Sequence, residues 1–291
     1  MKSLQTISKI ILIALLFTGA NLSTQAQKLN NIQENGFWAP ANVKIDGKLN
    51  DWGDTFQAYN KTTGIYYTMA NDDKNLYFIM KSSDQIINNK FIAGGIDITI
   101  NTTGKKKDKG AYVIKYPVIN MAGLRNQVKS MRTSGPPQND AMSGMDPAMI
   151  DLRRKALKNI KELKLTGFAA DVPDSVVSVY NQYGIKTGVD YDDKGNLTCE
   201  IAIPLKYLHL NGSDFSYNIK LNGLDINSLN AGMNTASNNP NGGGDAGGDR
   251  AAAIMSANPT NMPAGAARAL SDMQIMISPT DFWGKYTIVK K

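Results

Sequence analysis

The chain has 291 residues, of which 42% are hydrophobic and 20% are charged, with one Cys, one His and a formal net charge of +7. The apolar content is near the globular average and Cys is almost absent, which excludes collagen-like, wholly disordered and disulfide-stabilised proteins. One His and one Cys leave no ligand set for a zinc enzyme. The basic residues are spread along the chain and are not interleaved with aromatic side chains, so we expect no nucleic-acid partner.

Residues 1–26 have the pattern of an export signal. Lys2 and Lys9 precede or flank an apolar run at residues 10–17, and the segment ends in Thr24-Gln25-Ala26, which suits signal-peptide cleavage. The run is shorter than the roughly 20 apolar residues that span a bilayer. We therefore expect an exported protein, periplasmic or extracellular, without a transmembrane segment, in which residues 27–291 form one domain.

The segments that follow alternate apolar and polar residues, the period-two pattern of half-buried strands. The clearest examples are residues 96–101 (IDITIN), 197–203 (LTCEIAI) and 215–221 (FSYNIKL). Each of these strands is expected to bury one face in a core.

Turn-forming runs between such segments predict two hairpins. The runs NDDKN at residues 71–75 and DDKGN at residues 192–196 consist of residue types that favour turns. They separate residues 65–70 from 76–81, and residues 188–191 from 197–203. Further strands are expected at residues 43–45, 112–116, 176–180, 273–277 and 285–289. About ten strands with hairpin connections indicate a mainly β fold, an antiparallel β-sandwich.

Two segments depart from this pattern and are predicted to be insertions, at residues 122–170 and 227–270. In the first, Asp146 and Pro147 suit a helix N-cap and first helical position, and apolar residues recur at helical spacing, so one helix is predicted over residues 148–163. The second is rich in Gly and Asn and has few large apolar side chains to offset the entropy of ordering, so a long flexible loop is expected there.

Three passages together resemble the family 9 carbohydrate-binding modules and their relatives in the DOMON-like group of β-sandwiches. They are residues 43–52 (VKIDGKLNDW), 71–78 (NDDKNLYF) and 197–205 (LTCEIAIPL). The first is similar to the strand and turn that open the family 9 domain, and the third is similar to a strand in its second half. The resemblance covers most of the chain outside the two insertions.

The resemblance implies a β-sandwich that binds sugar chains by stacking a ring on Trp side chains, in some members with structural Ca²⁺. Stacking suits sugars because their C–H face is apolar, while the hydroxyl rim needs polar partners. No matched Trp pair can be assigned here, so the candidates are the three Trp residues, Tyr residues that could form a substitute platform, and two polar residues on non-core faces. These candidate ligand-binding residues are Trp38, Trp52, Tyr66, Tyr112, Glu200, Asn218 and Trp283.

Each of these candidates also has a purely structural interpretation. Trp52 follows the tight turn predicted at Asp46-Gly47 and can fold back over the sandwich as a packing residue. Tyr66, Tyr112, Glu200 and Asn218 fit ordinary positions on strands.

A compact acidic turn offers a candidate Ca²⁺ site at Asp190, Asp192 and Asp193, because Ca²⁺ binds several oxygen ligands. The turn lacks the spaced acidic ligands of an EF-hand loop, and a hairpin turn explains the same residues.

Two alternatives remain open beside glycan binding. Related DOMON-like domains hold haem through Met, His or Lys, and eight of the 13 methionines lie in or beside the two insertions, where their thioethers are also soft ligands for Cu(I). The other alternative is an envelope scaffold whose insertions dock onto a protein partner. His209 is interpreted as a structural residue, and no nucleophile-elbow motif is present. We therefore expect a non-catalytic protein that binds a polysaccharide or oligosaccharide.

Overall fold

The computed structural model describes residues 29–53, 56–118, 146–225 and 264–291. Within these ranges the chain forms eleven β-strands and three α-helices. The strands are β1 (Ala58–Asn60), β2 (Ile65–Asn71), β3 (Asn75–Ser82), β4 (Ile96–Asn101), β5 (Tyr112–Tyr116), β6 (Glu162–Thr166), β7 (Val176–Ser178), β8 (Lys186–Tyr191), β9 (Leu197–Pro204), β10 (Asp214–Leu221) and β11 (Thr280–Thr287). The helices are α1 (Gln85–Gly94), α2 (Pro147–Leu157) and α3 (Ala264–Ile277).

The strands form two antiparallel sheets. The first sheet has five strands in the order β1-β2-β3-β9-β8, and the second has six in the order β11-β10-β4-β5-β6-β7. The two predicted hairpins are confirmed, because β2 pairs with β3 and β8 pairs with β9. The mainly β, antiparallel sandwich predicted from the alternating segments is therefore confirmed. Among the described residues, no helix is both long and apolar enough to span a bilayer.

Three sequence predictions of local structure are wrong. The helix predicted over residues 148–163 ends at Leu157, because Leu163 and Leu165 alternate with polar residues and enter β6 instead. The strand predicted at residues 273–277 is the end of α3, since its apolar residues also fit helical spacing and continue an Ala-rich stretch. Residues 43–45 form no strand, although Val43 and Ile45 do pack on the first sheet.

The insertions are only partly visible. The expected signal at residues 1–26, about half of the first insertion and most of the second lie outside the described residues, which lack residues 119–145 and 226–263. Within the second insertion, residues 264–270 are helical rather than a loop. The sequence analysis also missed α1, although Asp84 is a conventional N-cap whose carboxylate accepts hydrogen bonds from the backbone N–H groups of Ile86 and Ile87.

The core between the sheets contains a pair of tyrosines that join the sheets. Tyr67 on β2 and Tyr217 on β10 are both fully buried, and their hydroxyl oxygens lie 2.9 Å apart in a hydrogen bond. The Tyr67 hydroxyl also accepts a hydrogen bond of 2.9 Å from the backbone N–H of Gln33. Burial raises the pKa of both tyrosines, so both hydroxyls stay neutral and the buried polar pair is satisfied.

The outer face of the first sheet is covered by the chain that precedes β1. Val43, Ile45, Leu49, Trp52 and Phe56 pack there on a second, smaller apolar cluster formed by Ala39, Ala70, Tyr77, Ile79 and Ala202. The apolar residues of β3 and β9 that face away from the main core are thereby removed from water.

Gly284 on β11 leaves the space that the Tyr217 ring occupies. It lies opposite Tyr217 in the strand register, and a Cβ at position 284 would overlap with the phenol ring. We predict that Gly284→Ala lowers the free energy of unfolding by about 1–3 kcal/mol, the usual cost of overpacking a core. Urea denaturation measures this change. The control is Gly212→Ala, because a Cβ there meets no atom within 4 Å. Equal effects of the two substitutions would contradict the packing role of Gly284.

Candidate functional site

The three passages that carry the family resemblance meet around the buried carboxylate of Glu200. One of its oxygens, Oε2, accepts hydrogen bonds from the backbone N–H groups of Asp46, at 3.0 Å, and Gly47, at 2.7 Å. The other, Oε1, accepts a hydrogen bond of 2.7 Å from the indole Nε1 of Trp52. Tyr77, from the second passage, packs edge-on against Trp52 with ring centroids 5.5 Å apart. Glu200 therefore binds the chain before β1 to the outer face of the first sheet.

Two glycines allow this close approach. Gly47 has φ of 85°, a conformation that favours glycine, and a Cβ there would lie 2.6 Å from the backbone of Val189. Gly188 on β8 is the register partner of Glu200, and a Cβ on Gly188 would overlap with the backbone of the turn at Asp46 and Gly47. The predicted Asp46-Gly47 turn is therefore confirmed, and it lies directly on β8.

This contact explains two of the candidate ligand-binding residues. Trp52 is half-buried and donates its only polar hydrogen to Glu200, and the carboxylate of Glu200 is fully buried and engaged by three donors. Both residues position the chain around the turn, which matches the packing interpretation of Trp52. Trp52 lies on the outer face of the first sheet rather than over an end of the sandwich.

Burial in this place changes the acidity of Glu200. Desolvation raises the pKa of the Glu200 carboxyl from 4.5 to about 7, although the hydrogen bonds from Trp52, Gly47 and Asp46 oppose that rise. The carboxyl therefore changes its charge near neutral pH.

The turn held by Glu200 forms one wall of a large groove. This groove, which we call the Tyr180 groove, has a volume of about 1670 Å³ and lies between residues 45–53, the outward side of α2, strand β8 with its hairpin turn, and residues 179–181. Helix α2 begins where predicted, because Asp146 caps its first turn and Pro147 is its first residue. Lys81, Tyr116 and Thr198 also line the groove, so it is built from well-separated parts of the chain.

Tyr180 is the exposed aromatic residue of this groove. It is 78% exposed, the most of the large hydrophobic residues found exposed in the described ranges. Lys161 lies beside it, with Nζ 5.3 Å from the ring centroid and 3.3 Å from the phenol oxygen. Sequence analysis did not select Tyr180, because it was assigned only to the end of a strand. The ring provides an open apolar surface at one end of the groove.

The candidate metal residues also line the groove, and basic side chains form ion pairs with them. Arg154 lies 3.6 Å from Asp190 and 2.7 Å from Asp193, and Lys81 lies 3.2 Å from Asp192. Asp192 further accepts hydrogen bonds from the backbone of Lys194 and Asn196, which is the predicted hairpin turn. No group of three or more His, Cys, Asp or Glu side chains in the described ranges is arranged to hold a metal ion. A Ca²⁺ site here stays a prediction.

The other candidate ligand-binding residues do not line the groove. Asn218 and Trp283 are register partners on the outward face of the second sheet, and Asn218 is buried with its amide bonded to Asp281 and Phe282. Tyr66 packs on Tyr59, with ring centroids 4.4 Å apart.

The two remaining aromatic candidates are partly buried and lie at different sheets. Tyr112 packs on Phe168, with ring centroids 5.0 Å apart, and Trp38 forms an isolated bridge with Asn71. The sugar-binding roles assigned to all of these residues stay predictions.

The features behind the haem alternative are mostly outside the described residues. Of the eight methionines in or beside the insertions, only Met149, on α2, is described. His209 places its Nε2 atom 2.7 Å from Asp171 at the surface. The haem and copper hypotheses stay predictions.

The sequence matches no protein-family model and no curated protein. Among solved structures, the chain is similar to a family 9 carbohydrate-binding module from Caldicellulosiruptor kristjanssonii, determined in complex with glucose. The match has 11% sequence identity and a TM-score of 0.28, and it covers 67% of this chain and 81% of that chain. At this TM-score the match carries no argument about the site or ligand of this chain.

We predict that Glu200 makes the stability of the protein depend on pH. The Glu200 carboxyl has a pKa of about 7 in the folded chain and 4.5 in the unfolded chain, so the folded chain binds the Glu200 proton more tightly. Between these two values the unfolded state binds fewer protons, so the free energy of unfolding falls as the pH rises and levels off above about 7. The fall is about 3 kcal/mol.

Urea denaturation at pH 4.5 to 7.5 measures this dependence. Glu200→Gln should lose the Glu200 contribution. The free energy of unfolding of the wild type minus that of the variant should therefore be about 3 kcal/mol larger at pH 4.5 than at pH 7.5. Glu34→Gln, at an exposed position, is the control for removing one charge. Parallel pH profiles of the wild type and Glu200→Gln would show that the assigned acidity is wrong.

Proposed function

We propose that the protein is an exported, non-catalytic carbohydrate-binding protein that holds a polysaccharide or oligosaccharide in the Tyr180 groove. The observation that carries this proposal is the 78% exposure of Tyr180 at a large groove rich in polar side chains. An exposed aromatic ring beside such a groove suits a ligand with one apolar face and a polar rim.

The polar side chains of the groove suit sugar hydroxyls in particular. Each hydroxyl both donates and accepts hydrogen bonds. Asn50 offers both kinds of group, Asp46 and Asp151 offer acceptors, and the lysines of the groove offer donors. A ligand that presents only acceptors, or only apolar surface, would leave part of this set unpaired.

The size of the groove favours a chain over a single sugar. Its volume of about 1670 Å³ exceeds the roughly 300–1,000 Å³ of pockets that enclose one small molecule. An open groove of this size accommodates several linked rings, with one of them on Tyr180.

The expected export of the protein supports a glycan ligand. The expectation of export rests on the sequence of residues 1–26 alone. Their charged start, short apolar run and small-residue end suit a secretory signal. A protein placed in the periplasm or outside the cell meets structural and storage polysaccharides. Appearance of the chain in the periplasm or medium, with its first residue at Gln27, tests this part of the proposal.

We predict that Tyr180→Ala weakens glycan binding at least tenfold, because it removes the stacking surface. A tenfold change corresponds to about 1.4 kcal/mol. Isothermal titration calorimetry of the purified protein against soluble neutral and acidic polysaccharides, with and without Ca²⁺, measures the affinity. Tyr180→Phe should keep most of the affinity, since it retains the ring.

Two further variants separate the groove from other surfaces. Phe37→Ala removes a partly exposed aromatic residue that does not line the groove, and it should leave binding unchanged. Trp283→Ala tests the outward face of the second sheet. Binding that is lost in Trp283→Ala but kept in Tyr180→Ala would overturn the placement of the site. Absence of binding to every polysaccharide at millimolar concentration would overturn the function itself.

A further inference from the structure

We infer that the Tyr180 groove selects acidic glycans, whose rings carry carboxylate groups, over neutral ones. This inference rests on the proposed glycan-binding function and names the class of glycan. It is drawn from the distribution of charge along the groove. Seven basic side chains line the groove against five acidic ones, and the two signs are not mixed evenly.

The acidic residues gather at one end of the groove. Asp190, Asp192 and Asp193 lie at the end of β8 and in its hairpin turn, and Asp151 lies on the first half of α2. Arg154 contacts three of these carboxylates, at 3.6, 3.6 and 2.7 Å, and Lys81 contacts the fourth at 3.2 Å. These four carboxylates outnumber the two bases that contact them.

The opposite end, around Tyr180, is positive. Lys186 begins β8, about 15–20 Å along the strand from Asp192 at roughly 3.3 Å per residue. Lys158 lies one helical turn beyond Arg154, and Lys161 lies against the Tyr180 ring. All three lysines are exposed, and no ion pair in the described part of the chain engages them.

The dipole of helix α2 does not by itself explain the positions of these three lysines. A cation near a helix C-terminus is stabilised by the helix dipole, which accounts for Lys158 at the end of α2. Lys161 and Lys186 belong to the segment before β6 and to β8, where no such dipole acts on them. Three parts of the chain thus bring positive charge to the one exposed aromatic ring of the groove.

A sugar acid matches this end of the groove. Its ring has an apolar face for Tyr180, and its carboxylate can accept hydrogen bonds from Lys158, Lys161 or Lys186. The acidic end repels further carboxylates, so the charged rings are placed beside Tyr180. A single-stranded nucleic acid is a poorer match, because it presents phosphate acceptors throughout and the groove has one exposed aromatic ring among the described residues.

The experiment compares one glycan with and without its charge. Oligogalacturonate and its methyl ester have the same backbone, and only the first carries carboxylates. We expect the wild-type chain to bind the acid at least tenfold more tightly than the ester in titration calorimetry at 50 mM salt. Affinity for the acid should fall at least tenfold at 500 mM salt, whereas affinity for the ester should change little.

Matched variants locate the effect. The triple variant Lys158→Gln, Lys161→Gln and Lys186→Gln should bind the acid no better than the ester. The triple variant Lys105→Gln, Lys106→Gln and Lys107→Gln removes the same charge from an exposed loop away from the groove and should bind like the wild type. The comparison of acid with ester on the wild-type chain stands even if a variant folds poorly.

Each other outcome overturns the inference in a distinct way. Equal or tighter binding of the ester, lost in Tyr180→Ala, rejects the preference for charge but keeps the proposed function. Equal losses in both lysine triples show that overall charge attracts the acid, and not the groove. Tighter binding of a single-stranded oligonucleotide than of oligogalacturonate rejects the ligand class. Binding of neither form at millimolar concentration rejects the inference, and the glycan function is then decided by the other polysaccharides.

Discussion

The arrangement around the groove depends on one buried carboxylate. Glu200 lies on the outward face of the first sheet and accepts hydrogen bonds from Trp52 and from the backbone of Asp46 and Gly47. Burying a carboxylate costs free energy unless hydrogen-bond donors surround it. The turn at Asp46 and Gly47 and the indole of Trp52 are therefore held in place beside Glu200. Because residues 45–53 form a wall of the Tyr180 groove, the shape of the groove follows from this contact.

The three passages that resemble a family contribute residues 45–50 and Thr198 to the groove lining, and the rest of the lining lies outside them. Glu200, Trp52 and Tyr77 come from three separate passages of the resemblance, and they contact each other under the groove wall. Tyr180 and the lysine against its ring belong to none of these passages. A resemblance carried by packing residues thus points to a way of folding, while the ligand is decided by side chains that the fold leaves exposed.

Alternation predicted the position of several strands, although the structure buries most residues on both faces of these strands. It succeeded for β4, β9 and β10, and it failed for residues 273–277, where the same apolar residues fit a helix that an Ala-rich stretch extends. Residues 43–45 alternate because they lie on a sheet, yet no strand pairs with them. The acidic residues of the groove were chosen as metal ligands from sequence, but Arg154 lies among them, and its helix position gave no sign of that contact.

The sequence by itself determined the mainly β fold, its two hairpins, the tight turn at Gly47 and the structural interpretation of Trp52. These features depend on the spacing of apolar residues along the chain and on residues with special backbone conformations. Both can be read from a short stretch of sequence. Only the tertiary structure decided that Glu200 binds that turn, that Tyr180 stays exposed, and that Lys161 lies against its ring. The partners in these contacts are separated by as many as 154 residues, and burial is a property of the whole fold, so no local pattern records them.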